Sequence, residues 1–386
     1  MTEHSHSNDL KATRAGDLKI AVVSDALKDR NGVDAYYRDL VSHLQNHVAD
    51  IRYYTPNPED GDHYSRFAVP LPGDATQKII FPDATGLYAE LKQQAPHIII
   101  AATNGPFGLF ALYAAKRLHT PLVSGFHTLI EDLCKMYWGR VLGTVTRSFM
   151  EFQNKLLFKY SAHVVVNSKS MIESANKLSN TDVLLMGTPL DTLFLKQPVP
   201  DAPAQLKSVL YAGRLAPEKN VEGFLACARR FPELRFSIAG DGPLRGELES
   251  QRGDLDNVTF LGHLPREEIV SVIDAHDMLM LPSHLEAFGT IALEAMSRRR
   301  LVLVSNHCGI LSWPELAKGL FQFQEEESPA DALERILDLD NRLHMKKAES
   351  AMNAALVAHN TALGGWLDLF AELHTTRTPE QERDVS

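Results

Sequence analysis

Residues 278–306, MLMLPSHLEAFGTIALEAMSRRRLVLVSN, carry the pattern on which the fold turns. Two short apolar runs, MLMLPS (278–283) and LVLVSN (301–306), flank a segment of helical length that opens near Gly289 and Thr290. Buried strand, helix and buried strand in that order make a βαβ unit, because a parallel neighbour is reached only through a crossover. The same rhythm extends outward, through SVLYAGR (208–214), RFSIAGDG (235–242) and VTFLGHL (258–264) on one side and GLFQF (319–323) on the other. An earlier set reads KIAVVSD (19–25), DIRYYT (50–55), HIIIAAT (97–103), PLVSGFH (121–127), AHVVVNS (162–168) and DVLLMG (182–187). The expected class is α/β, with one parallel sheet for each set.

Between the sets lies LKQPVPDAPAQ (195–205), whose prolines and polar flanks suit an extended linker. Domains are expected at 1–190 and 191–359, in keeping with a chain of 386 residues that exceeds one ordinary core. Residues 345–374 place Met352, Leu356, Leu363, Trp366, Leu367, Phe370 and Leu373 at near-helical spacing. The last part of that helix, about 360–375, is expected to pack back on the first domain, and the charged tail 376–386 to be disordered.

A composition of 44% hydrophobic and 23% charged residues is that of a folded chain, and the formal net charge of -10 disfavours nucleic acid as a partner. Cys134, Cys227 and Cys308 lack the paired spacing of a disulfide framework or zinc site, which suits a reducing, cytoplasmic compartment. The N-terminus has no apolar signal core and no later run is long enough to span a bilayer. His4 and His6 read as part of a frayed tail.

In open parallel sheets ligands bind beyond the carboxyl ends of the strands, so the residues just after each run are the informative ones. After SVLYAGR comes the loop Gly213 to Asn220, where Arg214 and Lys219 are candidates to hold a diphosphate. An exposed ion pair with Glu218 is the plainer alternative. The turn Gly240-Asp241-Gly242-Pro243 either borders a nucleotide base or is ordinary turn punctuation, and Gly262-His263-Leu264 stands similarly. Glu286 and Glu294, with seven residues between them, project respectively from a loop and from one turn inside the helix, and so reach different parts of one ligand. The free amides at that helix start suit a phosphate or neighbouring hydroxyls.

Taken together, GRLAPEKN, IAGDGPLRGEL, VTFLGHLPREEI and LPSHLEAFGTIALEAM, with PFGLFALYAAKRLHTPLVSGFHT in the first half, resemble the retaining family 4 glycosyltransferases (glycosyl transferases group 1) of GT-B architecture. The resemblance covers most of the chain and implies two Rossmann-like domains facing across a cleft. It implies that Arg214 and Lys219 bind the diphosphate of a UDP- or GDP-linked sugar, Glu286 the sugar hydroxyls and Glu294 the ribose. The backbone of Phe288, Gly289 and Thr290 completes those contacts, Gly32 in Asn31-Gly32-Val33 lies beside the phosphates, and His127 faces the transferred sugar. A hexosyl group would pass to an acceptor hydroxyl with retention, without a metal or other cofactor. The chain departs from the family where Gly32 stands without a paired glycine, where Arg298-Arg299-Arg300 replaces a Gly-x-Pro turn, and at Cys308-Gly309. The three arginines either bring charge to the cleft, cap the helix or lie in water.

Residues 134–162 carry Lys135, Arg140, Arg147, Lys155 and Lys159 against Glu151, among aromatic groups. Such a helix either lies on an anionic leaflet or simply covers the sheet. HTLIEDLCKMYW (127–138) resembles relatives that glycosylate diacylglycerol or phosphatidylinositol, which makes a lipid the first choice of acceptor and an oligosaccharide or cell-wall precursor the second. This implies peripheral contact with the inner face of the plasma membrane. Two other classes remain: an epimerase or glycosidase-like enzyme using Glu286 and Glu294 as a carboxylate pair, and a nucleotide-sugar-binding regulator without turnover.

Overall fold

A strand covered by helices on both faces has no solvent side, which is why these strands are continuous apolar runs. In the computed structural model, which describes residues 16–27, 32–56, 64–71, 74–127 and 140–375, those runs form two six-stranded sheets. The first contains β1 (Lys19–Val23), β2 (Asp50–Tyr54), β5 (Ile98–Ala101), β6 (Leu122–Gly125), β7 (His163–Val166) and β8 (Val183–Leu185), in the order β2-β1-β5-β6-β7-β8. The second contains β9 (Ser208–Ala212), β10 (Arg235–Ala239), β11 (Val258–Gly262), β12 (Met278–Leu281), β13 (Leu301–Val304) and β14 (Phe321–Gln322), in the order β11-β10-β9-β12-β13-β14. Every pairing within the two sheets is parallel. Chain direction across each sheet reverses beside β1 and β9, and such switch points open a crevice at the carboxyl ends. The expectations for His4, His6, Asn31, residues 128–139 and the tail 376–386 lie outside the described residues.

One element is absent from the sequence reading. Strands β3 (Ser65–Leu71) and β4 (Asp74–Pro82) pair antiparallel as a separate hairpin, with Phe67 stacked on Phe81 at 4.5 Å. Pro70, Pro72 and Pro82 make this stretch read as loop, although proline is tolerated in a ribbon whose two strands are both edges.

The helix Asn341–Thr375 runs 35 residues without a break and belongs to both halves. Ala348, Ala351 and Ala355 are buried in the core of the second sheet, whereas Trp366, Leu369, Phe370 and Leu373 are buried in a core of the first. The small residues let the helix approach closely, and the large ones fill the far layer.

The arginine run after the helix Thr290–Ser297 does not reach the cleft and does not lie in water. Arg298 is fully buried, pairs with Asp274 at 2.7 Å, and donates to the carbonyl oxygens of Phe194 (3.1 Å), Gln197 (3.0 Å) and Pro198 (2.6 Å). Arg300 donates to the carbonyls of Arg298 and Asp201, and Arg299 pairs with Glu349 at 2.9 Å. An extended linker leaves its carbonyls without a ladder, and buried carbonyls need donors, so the guanidinium groups fasten residues 194–201 to the second lobe.

Candidate active site

The cleft between the two sheets has a volume of about 500 Å³ and is bordered by Gly32, Asp34, Tyr36, His127 and Asn167 from the first lobe. From the second lobe it takes Gly213, Arg214, Lys219, Asp241, Gly242, His263, Leu264, Arg266, Glu286, Phe288, Gly289, Thr290 and Glu294. The candidate donor and catalytic residues, from Gly32 and His127 to Arg214, Lys219, Glu286 and Glu294, therefore border one hollow, whereas Arg298, Arg299 and Arg300 do not. The lobes nearly meet across it, since a Cβ added to Gly32 would lie 3.5 Å from Thr290 Oγ1.

Two loops are zipped together to build the centre of the second-lobe wall. The amides of His284 and Leu285 donate to the Glu218 carbonyl (2.8 and 3.2 Å), and Asn220 Nδ2 donates to the Pro282 carbonyl (3.0 Å). This draws the turn Pro217–Lys219 onto the loop after β12, and Lys219 Nζ donates to Glu286 Oε2 at 2.7 Å. Burial pulls the Lys219 amine down, but the Glu286 and Glu218 carboxylates outweigh it, so its pKa is raised and the amine stays charged. Arg214 beside it is lowered by burial, with Glu218 acting in the opposite direction. The sequence reading gave Lys219 and Glu286 separate ligand groups; in the structure they hold each other, so an entering anion competes with Glu286 for the amine.

Gly289 is the N-cap of the helix Thr290–Ser297, with φ 97° and no side-chain cap, and a Cβ there would approach Cys308 Sγ to 2.8 Å. Only glycine fits that turn. The glycines after β10 have a different reason. A Cβ at Gly240 would come within 1.8 Å of the Gly213 carbonyl oxygen, and one at Gly242 within 2.4 Å of the Leu215 carbonyl oxygen. The loop's own packing demands them, whatever ligand borders it. Gly240→Ala, at φ 141°, is expected to destabilise the protein by about 1–3 kcal/mol with no ligand present, read as a lowered Tm.

His127 lies just beyond β6 in the first-lobe wall. Its Nε2 is 2.9 Å from the Tyr37 hydroxyl, the Tyr36 ring centroid is 5.0 Å away, and Trp366 Nε1 donates to the Tyr36 hydroxyl at 2.9 Å. Burial pushes the imidazole pKa down to about 4, so His127 is neutral at pH 7. Gly125 keeps this pair in place, because a Cβ there would lie 2.2 Å from the Tyr37 hydroxyl.

Several residues that shape the cleft escaped the sequence reading. Asn167, beyond β7, is buried with its backbone carbonyl held by Trp313 Nε1 at 2.9 Å, and its Oδ1 makes no hydrogen bond among the described residues. Arg266, inside the quoted VTFLGHLPREEI, lies 2.9 Å from Glu294 Oε1, 2.8 Å from Asp39 Oδ2 and 2.6 Å from Asp191 Oδ2. Burial raises Glu294 and Arg266 opposes it. Burial pushes Asp39 up to about 8 against the pull of Arg266, with Asp191, Glu294 and Asp34 adding to the rise. A carboxyl raised in the fold stabilises it fully below the free value of 3.8 and loses that contribution as pH rises through about 8. The Tm should therefore decline between about pH 4 and 8 more steeply in the parent than in Asp39→Asn, which melting curves across that range would measure.

With this geometry in view, comparison with known proteins is informative. A model of the glycosyl transferases group 1 matches residues 196–353, and one of Glycosyltransferase Family 4 matches residues 30–184. The chain belongs to the family 4 glycosyltransferases. Among curated relatives of this glycosyltransferase, Alpha-D-kanosaminyltransferase of Streptomyces kanamyceticus is 36% identical over 166 residues, 41% of this chain and 43% of the relative. Sulfoquinovosyl transferase SQD2 of Arabidopsis thaliana is 25% identical over 70% of this chain and 54% of the relative. The matched region is thus about half the length of each of these two proteins. The structure resembles sucrose-phosphate synthase from Thermosynechococcus elongatus with a TM-score of 0.71 at 18% identity, covering 93% of this chain and all of that one, and the fold is GT-B.

Proposed function

We propose that this family 4 glycosyltransferase moves a hexosyl group from a nucleoside-diphosphate sugar to an acceptor hydroxyl with retention at the anomeric carbon. The observation that carries the reading is the pairing of Lys219 with Glu286 in the cleft wall, beside Arg214 and the uncapped helix start at Gly289. Breaking the bond between an anomeric carbon and a diphosphate builds negative charge on the leaving oxygen. Arg214, Lys219 and the amides at the start of Thr290–Ser297 supply fixed positive charge for it, a preorganised effect that dominates many such reactions. Glu286 engages sugar hydroxyls, and His127, neutral and held by Tyr37, contributes a hydrogen-bonding edge on the opposite wall. The acceptor hydroxyl attacks from the leaving-group face and passes its proton to a phosphate oxygen.

A membrane lipid such as diacylglycerol is the proposed acceptor. The helix Arg140–Lys159 exposes Val145, Phe149 and Phe152 on one stripe, about 60% accessible each, with exposed Lys155 and Lys159 beside them. That combination of apolar wedge and basic flank suits an anionic bilayer surface. None of the described helices is long and apolar enough to cross a membrane.

The test incubates purified protein with UDP-, GDP- and ADP-linked hexoses, with and without diacylglycerol in anionic vesicles or oligosaccharide acceptors. Acceptor-dependent nucleotide release and an α-linked product from an α-linked donor, read by NMR, are expected. Acceptor-independent turnover, binding without turnover, or an inverted product would each overturn the reading.

A further inference from the structure

Arg266 opens the helix Arg266–Asp274, and its guanidinium enters a junction of three segments. Nη2 donates to Asp39 of the first-lobe helix Gly32–Leu44, and Nε donates to Asp191, the N-cap of Thr192–Lys196 where the chain passes between lobes. Those two bonds are aligned. The third contact, from Nη2 to Glu294 Oε1 at 2.9 Å, is an ion pair without hydrogen-bond alignment, and Oε1 has no hydrogen bond of its own among the described residues. Glu294 is 2% exposed yet borders the cleft, as Arg266 does.

We propose that Arg266 is a positioning residue for the nucleotide ribose: its guanidinium, 2.9 Å from Oε1, holds the Glu294 carboxylate at the cleft wall. This rests on the donor reading above. Three carboxylates, Asp39, Asp191 and Glu294, surround one guanidinium in a largely buried cluster. Burial already raises Asp39 to about 8 with the guanidinium in place; without it, burial and the neighbouring carboxyl groups favour a proton on Glu294 as well, and a protonated Glu294 no longer accepts charge-assisted bonds. Arg266 neutralises Glu294 from the buried Oε1 side, while the residue as a whole still borders the cleft. A ribose diol carries O–H donors, for which an ionised carboxylate is a strong acceptor. Three partners in different directions also require the planar fork, which a lysine ammonium does not reproduce.

The experiment is calorimetric titration of UDP, GDP and ADP, each against its 2′-deoxy counterpart, into the full chain and into Arg266→Gln, Arg266→Lys and Asp39→Asn. The parent should prefer the ribonucleotide by about 10- to 100-fold, the range of a hydrogen bond to a charged group. In Arg266→Gln the preference should fall below about 3-fold, with the deoxynucleotide bound nearly as well as by the parent, and should recover as pH rises and Glu294 ionises. Arg266→Lys should retain part of the preference, and Asp39→Asn, which leaves the ion pair to Glu294 intact, should retain all of it. A folded Arg266→Gln that keeps the parent's preference overturns the proposal. So does one that loses both ligands equally, or one whose preference ignores pH, because either result marks a merely structural role. If Arg266→Gln does not fold, Arg266→Lys decides: an unreduced preference there overturns the proposal, and a reduced one that recovers with pH upholds it. A parent that binds none of the nucleotides overturns the donor reading itself, whereas binding without ribose preference removes only the ribose role of Glu294 and Arg266.

Discussion

Lys219→Ala should lower kcat by about 10²–10³-fold, the typical cost of removing one preorganised charge partner from a developing oxyanion. Lys219 is the more informative half of its pair because its amine is held charged by Glu286 across 2.7 Å. Glu286→Ala should also lower kcat strongly, for two reasons: the sugar loses an acceptor, and the amine loses the partner that places it. The two residues act as a unit, so the double variant should be little worse than the worse single variant. Initial rates over a range of donor concentrations for all four proteins test this. Additive losses in the logarithm of the rate would show that the pair works independently.

The largest effect on stability is expected at Trp366. Its indole is fully buried, lies 5.6 Å from the Phe370 ring and 6.4 Å from that of Tyr37, and donates to the Tyr36 hydroxyl. Trp366→Ala should destabilise the first lobe by about 3–5 kcal/mol, the cost of lost burial plus an unfilled cavity. Trp366→Phe keeps much of the volume but strands the Tyr36 hydroxyl, and should cost about 1–3 kcal/mol. Urea denaturation followed by circular dichroism measures both. Because Tyr36 and Tyr37 pack against His127, Trp366→Phe should also lower the transfer rate, and an unchanged rate would separate this aromatic layer from the site.

The parallel sheets were legible because a strand hidden on both faces leaves an apolar run that polar turns interrupt, as in MLML at β12 and LVLV at β13. The hairpin β3–β4 was not, because prolines interrupt or end its apolar stretches, FAVPL at 67–71 and IIFP at 79–82, and proline marks a stretch as loop or edge. Arg214 and His127, each two residues past a strand, and Glu286, in the loop after β12, were expected beside a ligand from their position together with the family resemblance, and all three border the cleft. What escaped depends on pairs remote in sequence. Lys219 and Glu286 are 67 residues apart and Arg266 and Asp39 are 227 apart, and neither pairing leaves a mark on local pattern. Arg298 is the clearest miss. Three consecutive arginines after a helix read as cleft charge, a helix cap or a solvated run, whereas Asp274 and the carbonyls of Phe194, Gln197 and Pro198 are what allow Arg298 its complete burial.

The account as a whole depends on where an activated sugar lies. The most direct measurement is a crystal structure of the protein soaked with a nucleoside-diphosphate hexose. The diphosphate should be within hydrogen-bonding reach of Arg214, Lys219 and the amides at Gly289 and Thr290, with its ribose on Glu294 and its hexose between Glu286 and His127. A nucleotide bound away from these residues, or a cleft that stays empty at saturating donor, would contradict it.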